Sequence, residues 1–275
     1  MNIDLKEKAL ATAKELYPEA PIDELLITAS KLEIYFAAQD QMDSLPIFAS
    51  NCFIQHPVKG NINFVPYRAQ LEALLTIQHQ QHTLIHASRQ TGSTMLMCMA
   101  ILWEALRKSN QTIMVLGRTF MQVQEMKNTI EYTHRHLMGI FPKISQYDKS
   151  SITFDNGSRI ICRAATEHAL RGMTIDALYI DNTGFISHST LYDIWQSAAP
   201  MLIRNGRVVL VHSGRCMDDG LFHELWQSQN NMAKIKLHWS DHPDRDSVWE
   251  KDMRAQFGND TFDAEFECVF TPKPN

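Results

Sequence analysis

The chain has 275 residues, 44% of them hydrophobic and 21% charged, with a net charge of −5. That balance suits an ordinary soluble α/β domain with a sizeable core and a small appendage, and it excludes a global basic field that would hold nucleic acid without a local patch. No stretch of 18 apolar residues occurs, which excludes a membrane-spanning helix, and the N-terminal MNIDLKEKAL lacks the apolar core and cleavage pattern of a secretion signal.

The first 44 residues read as an N-terminal helical segment of two helices. One ends before Pro18; the other begins near Pro21 and sets Ile22, Leu25, Leu26, Ala29, Leu32, Tyr35 and Phe36 at helical spacing. Five scattered cysteines, Cys52, Cys98, Cys162, Cys216 and Cys268, are odd in number and lack a C-x-x-C pair. They predict reduced thiols rather than disulfides or a zinc site. The histidines form no recognised ligand motif and read as solvated or core-edge imidazoles.

From about residue 64 strand-like and helix-like runs alternate. The apolar run HTLIHA (82–87) precedes a helix over 95–106, and QTIMVLG (111–117) precedes a long helix over about 120–138. SSITFDNGSRIICRA is two alternating runs around Asn156-Gly157, expected to be a hairpin whose turn takes positive φ values. ALYID (177–181), a helix over 191–202, RVVLVHS (207–213), a helix over 221–227 and KIKLHWS (234–240) complete the pattern. Strands separated by helices predict a mostly parallel sheet covered on both faces, with ligands at the carboxyl ends of the strands.

Two loops lie at such ends. HASRQTGSTM (86–95) joins a strand to a helix, the setting of a phosphate loop of pattern G-x-x-x-x-G-K-[ST]. Ala87 stands at the first glycine position, Gly92 at the second, Ser93 where lysine is expected, and Thr94 at the hydroxyl that would ligate Mg²⁺. Gly92 lets backbone N–H groups turn toward an anion, and the following helix adds its dipole. ALYIDN ends an apolar strand in Asp181, as a Mg²⁺-holding Walker B aspartate would, but Asn182 follows where such ATPases usually place a glutamate. A strand-end Asp-Asn turn is the bland alternative.

Three further stretches are weaker. FVPYRAQ (64–70) carries Tyr67 and Gln70, an aromatic to stack on adenine and an amide to pair with its edge, or simply a helix start with a core aromatic. Leu170-Arg171-Gly172 offers Arg171 to a nucleotide or a neighbouring subunit, or to solvent. VHSGR places Ser213 and Gly214 at a strand end suited to a γ-phosphate sensor or coupling element.

Taken together, FxPYRAQ, SRQTG followed by Ser-Thr, FDNGSRI, the ALRG-to-YID run with Phe185 and Ile186 after it, and the tail WSDHPDRDSVWEKDMRAQFGNDTFDAEFECVF resemble the large subunit of the DNA-packaging terminase of tailed bacteriophages, over roughly residues 45–271. The resemblance implies an ASCE-type P-loop NTPase fold over residues 45–275, ATP and Mg²⁺ as cofactors, and a motor driving double-stranded DNA into capsids in the cytoplasm of an infected host cell. It implies the terminase small subunit, the portal or a full-length terminase as partners, and a homo-oligomeric ring. On the matching positions, Tyr67 and Gln70 would serve the adenine site, Ser88, Arg89, Gln90, Thr91, Gly92, Ser93 and Thr94 the phosphates, Asp181 and Thr94 the Mg²⁺, Arg171 phosphate, and Ser213 and Gly214 coupling.

The sequence departs from the family pattern at Ser93, at Asn182 and in the nuclease domain, not expected because the chain stops at Asn275. A hydroxyl cannot replace an ammonium whose charged hydrogen bond is worth ~1.5–3 kcal/mol, and a missing general base costs on the order of 10²–10⁴ in rate. Impaired hydrolysis is the expectation, with a pseudo-ATPase accessory module as the alternative. Arg89 is the candidate to supply phosphate charge in place of the lysine, and a nearby carboxylate such as Glu167 or Asp176 the candidate stand-in base.

Overall fold

The computed structural model describes residues 3–16, 18–19, 21–23, 25–26, 28–29, 42–56, 60–203, 206–218 and 220–271. Helix α1 (Ile3–Leu16) stops short of Pro18 as expected. Ala9 and Ala13 on it pack with Leu25 and Ala29 in a small separate cluster, while Ile22 and Leu26 face solvent. Leu32, Tyr35 and Phe36, expected on the second helix, lie outside the described residues.

Helix α2 (Leu45–Ser50), capped by the Ser44 hydroxyl, leads into a hairpin of β1 (Phe53–His56) and β2 (Gly60–Asn63) and then α3 (Arg68–His79). The main elements follow: β3 (His82–Ala87), α4 (Ser93–Arg107), β4 (Thr112–Gly117) and α5 (Phe120–His136). Next come β5 (Ile144–Tyr147), β6 (Ser151–Phe154), β7 (Arg159–Ala164), β8 (Ala177–Ile180), α6 (His188–Ile203) and β9 (Arg207–Ser213). The chain continues through β10 (Cys216–Met217), α7 (Leu221–Gln227), β11 (Ala233–Leu237), α8 (Ser247–Phe257), α9 (Asn259–Phe266) and β12 (Phe270–Thr271). The last expected strand is therefore shorter than KIKLHWS, because Trp239–Asp241 turn into a short 3₁₀ helix closed by the Asp241 carboxylate on His238 N.

The large sheet has eight strands in the order β11-β3-β9-β8-β4-β7-β6-β5. The six from β11 to β7 run parallel, and β6 and β5 extend the edge by antiparallel pairing. Every residue of β8 is buried and β3, β4 and β9 are nearly so, which is why these strands read as apolar runs rather than as alternation. One face carries Ile85, Ala87, Val209 and Val211 under α2–α5, and the other carries Leu84, Leu178 and Leu210 under α6 and α7. Helix α4 is buried at every position from Leu96 to Leu106, as a helix apolar on all sides must be.

The expected hairpin forms from β6 and β7, but only Gly157 takes a positive φ, +83°. Gly157 N–H donates to Phe154 O at 3.1 Å and Phe154 N–H to Ser158 O at 2.9 Å, a three-residue connection closed by one left-handed glycine rather than a two-residue turn needing two. Strand β9 lies between β3 and β8. This inserted strand brings the ends of three strands, and the three loops that follow them, to one edge of the sheet.

Candidate nucleotide site

The loop after β3 is held from its carbonyl side. Ser88 O accepts the Thr91 hydroxyl at 2.9 Å, Arg89 O and Gln90 O accept the two terminal nitrogens of Arg245 at 3.0 and 2.9 Å, and Thr91 O accepts both Tyr67 Oη and Gln70 Nε2 at 2.9 Å. Four consecutive carbonyls are thus tied to side chains. Gln90 and Gly92 both adopt left-handed conformations, φ +59° and +79°. Among the described residues the N–H groups of Gln90, Thr91 and Gly92 meet no protein acceptor, and the first-turn N–H groups of α4 have none within their helix. Together they are N–H groups left free to take an anion at a helix N-terminus.

Gly92 is required twice over. Its φ is left-handed, and a Cβ there would come 2.7 Å from Gln70 Nε2. Gln70 is buried and divides its amide, its Nε2 donating to the loop and its Oε1 accepting Tyr67 N–H at 3.2 Å at the start of α3. Burial raises the Tyr67 phenol to about 12, so it remains a donor to Thr91 O. The two residues expected at adenine therefore each donate to Thr91 O of the 88–94 loop; Tyr67's ring meets His242 at 5.3 Å.

Thr94 and Asp181 converge: the Thr94 hydroxyl donates to Asp181 Oδ2 at 3.0 Å across 87 residues of sequence. Asp181 also accepts Gln122 Nε2 at 3.1 Å and Asn182 N–H at 3.0 Å. Burial pushes this carboxyl above its ordinary range, against the hydrogen bonds that pull it down. A hydroxyl and a carboxylate beside an anion cradle are the hard oxygen donors that suit Mg²⁺.

Asn182 adopts φ +55°, ψ +48° and opens a 3₁₀ turn over Thr183–Phe185. Its Oδ1 accepts the Ser213 hydroxyl at 2.7 Å and its amide nitrogen lies 3.4 Å from Asp181 Oδ2. The loop after β8 and the last residue of β9 are therefore bonded directly. Ser93, the first residue of α4, is buried and presents no charge.

Charge in the loop comes from Arg89. Its Nε pairs with Glu265 Oε2 at 2.5 Å, its guanidinium lies 5.6 Å from the Phe185 ring, and Gly214 sits close enough that a Cβ there would meet Arg89 Nε at 2.9 Å and collide with the Glu265 carboxylate. Glu265 is thus the carboxylate at the rim of the loop. Asp176 is not: it accepts Thr112 N–H at 2.8 Å at the amino end of β8, with the whole strand between it and Asp181. Glu167 pairs with His168 at 3.0 Å in an exposed cleft with Arg171, Asp193, Gln196 and Ser197, to which the phosphate loop contributes nothing. Arg171 is exposed there, apart from its own chain's loop.

Gln122, Arg245 and Glu265 were not legible in the sequence as site residues. The last two lie in a tail whose overall likeness was visible, but their partners stand 155 to 176 residues away and no local pattern announces such contacts.

Comparison with known proteins agrees with this fold. Residues 84–209, from within β3 to within β9, match the family described as terminase large subunit, T4likevirus-type, N-terminal. The large terminase ATPase domain of Thermus phage P74-26 is similar with a TM-score of 0.58 at 15% identity, over 76% of this chain and 95% of that one. The large terminase of another thermophilic bacteriophage is similar with a TM-score of 0.60 at 12% identity, over 75% of this chain and 54% of that one. For the large terminase of bacteriophage HK97 the TM-score is 0.56 at 12% identity, over 85% and 49%. The chain thus spans about half the length of these last two proteins. The second of the three, from the thermophilic phage, has been seen in complex with ADP and with ATP-γ-S.

Proposed function

We propose that this chain, which carries the large-terminase ATPase-domain fold, binds a nucleoside triphosphate with Mg²⁺ and hydrolyses it poorly, as a nucleotide-responsive part of a DNA-packaging assembly. One observation carries the reading: the carbonyls of residues 88–91 are all tied back, which leaves the loop's N–H groups for phosphate. Without that arrangement a loop lacking lysine would have little claim on an anion.

Each residue then has a physical task. The loop N–H groups and the α4 terminus take phosphate oxygens. Arg89 supplies the positive charge that Ser93 cannot, and its planar guanidinium suits phosphate. To do so it must leave Glu265. Thr94 and Asp181 would hold Mg²⁺, which would neutralise phosphate charge. Asn182 cannot take a proton from water; its amide instead links Asp181 to Ser213, so the state of the site is passed to β9.

Glu265 is the carboxylate available to accept a proton once phosphate draws Arg89 away, and we assign the residual hydrolysis to it. Arg171, exposed outside its own loop, would serve the nucleotide of a neighbouring copy in a ring. The small subunit, the portal and double-stranded DNA are the partners that the domain type supports.

The test is titration of MgATP into the full chain by calorimetry, with turnover measured on the same preparation. Saturable binding that is weakened in Thr94→Ala and Asp181→Ala, with turnover near background, is the expected result. No binding at millimolar nucleotide would refute the reading.

A further inference from the structure

Strands β3 and β9 pair in parallel register with His86 opposite His212, on the sheet face that elsewhere carries Leu84 and Leu210. The two rings lie 5.5 Å apart. Cys216 on β10 completes the group: one donor atom from each of His86, His212 and Cys216 lies within 4.8 Å of the others, and all three residues are buried.

His86 makes this cluster unusual. It is fully buried, and neither Nδ1 nor Nε2 has a hydrogen-bond partner. A neutral imidazole carries one N–H and one lone pair, and each group left unmatched in a protein interior costs ~1–3 kcal/mol. Around its ring stand Phe222, Trp226 and Phe270 at 6.0, 5.7 and 4.9 Å, none of which offers a strong acceptor.

We propose that His86, His212 and Cys216 form a binding site for one soft transition-metal ion, Zn²⁺ or Cu⁺ in class. Imidazole and thiolate together select such ions over Mg²⁺ or Ca²⁺. Two neutral imidazoles and one thiolate neutralise Cu⁺ fully, whereas Zn²⁺ retains one positive charge that an apolar interior disfavours. For Zn²⁺ a second thiolate would restore neutrality; Cys268, buried with its Sγ 3.6 Å from the His86 backbone carbonyl but outside the three-residue cluster, is the candidate. Binding converts the Cys216 thiol to a metal-bound thiolate and releases its proton to solvent.

The site is linked to the nucleotide loops without depending on the nucleotide reading. His212 now uses Nδ1 to accept Gly184 N–H at 2.9 Å, with Nε2 2.9 Å from Arg215 O. Coordination claims one of these nitrogens, so the metal competes either with the Thr183–Phe185 turn or with the Gly214–Arg215 stretch.

The experiment uses the full chain, purified under reductant, stripped with chelator and titrated with Co²⁺, Zn²⁺ and Cu⁺ in turn. Stoichiometry is read by native mass spectrometry, thiolate ligation by the near-ultraviolet cobalt charge-transfer band, and Cu⁺ affinity by chelator competition. One ion per chain is expected, weakened at least tenfold in Cys216→Ser and His86→Phe and unchanged in Cys52→Ser. Loss of Zn²⁺ alone in Cys268→Ser assigns a four-ligand zinc site; indifference of Cu⁺ to that change assigns a three-ligand copper site. Failure of all three ions to bind stoichiometrically, or binding unaffected by Cys216→Ser, overturns the proposal. Cys216→Ser, nearly isosteric, decides the matter if His86→Phe does not fold.

Discussion

Asn182 shows why one residue type answers to two demands. As the residue after Asp181 it stands where a catalytic glutamate would, yet its left-handed backbone is a conformation that asparagine tolerates and glutamate resists by roughly 1–2 kcal/mol. The paired change Ser93→Lys with Asn182→Glu should therefore raise ATP turnover by at least on the order of 10² while lowering the thermal midpoint; turnover and calorimetric melting on one preparation check both. An unchanged rate would show that the two positions are not what limits chemistry. Gly92→Ala should cost both stability and nucleotide affinity, because the new methyl strikes Gln70 and the backbone is left-handed; if it melts like the parent and binds ATP as tightly, the brace is unimportant. At this scale Ser93 and Asn182 were visible in the sequence as departures from a pattern. What the sequence could not give was the geometry around them, such as the Ser213 bond to Asn182, which depends on β9 lying beside β8.

The elements divide between those announced by local periodicity and those defined by distant partners. Strands β3, β4, β8 and β9 and helices α4 and α5 stand close to where apolar runs and caps put them. The β1–β2 hairpin, β5, β10 and β12 are not marked in the same way: none is a fully buried apolar run like the short β8, and they are defined by their pairing. Helices α8 and α9 matter most for the site. Arg254 joins Glu250 on α8 to Asp263 on α9 and to Glu267 just beyond it, and the pair presents Glu265 to the loop while Arg245, just ahead of α8, reaches the loop carbonyls. Arg245→Ala frees two of those carbonyls and should weaken nucleotide binding roughly tenfold, ~1.4 kcal/mol, with a smaller effect on melting; equal affinity in a calorimetric titration would show that the loop holds its shape unaided.

For the molecule as a whole, the class of fold and the order of its motifs were legible because they depend on the alternation of apolar runs with helical segments and on the loops between them. Assembly was not. Arg171 faces a cleft away from its own chain's phosphate loop, and its proposed role needs a neighbour. In the Ser93→Lys, Asn182→Glu background, Arg171→Ala should leave nucleotide affinity unchanged but abolish any gain in turnover that rises with protein concentration. Mixing it with an Asp181→Ala chain in that background should restore part of the rate, since each partner supplies what the other lacks. No restoration at any ratio would place Arg171 outside the chemistry.

At the centre stands our proposal that a loop over residues 88–94 binds nucleotide phosphate without lysine, in a site whose turnover is lost separately. MgATP affinity and steady-state hydrolysis of the unmodified chain, measured together with and without double-stranded DNA, test this most directly. Saturable binding that Asp181→Ala weakens, with hydrolysis near background in both conditions, is the predicted result. Rapid DNA-stimulated turnover, or no binding at all, would contradict it.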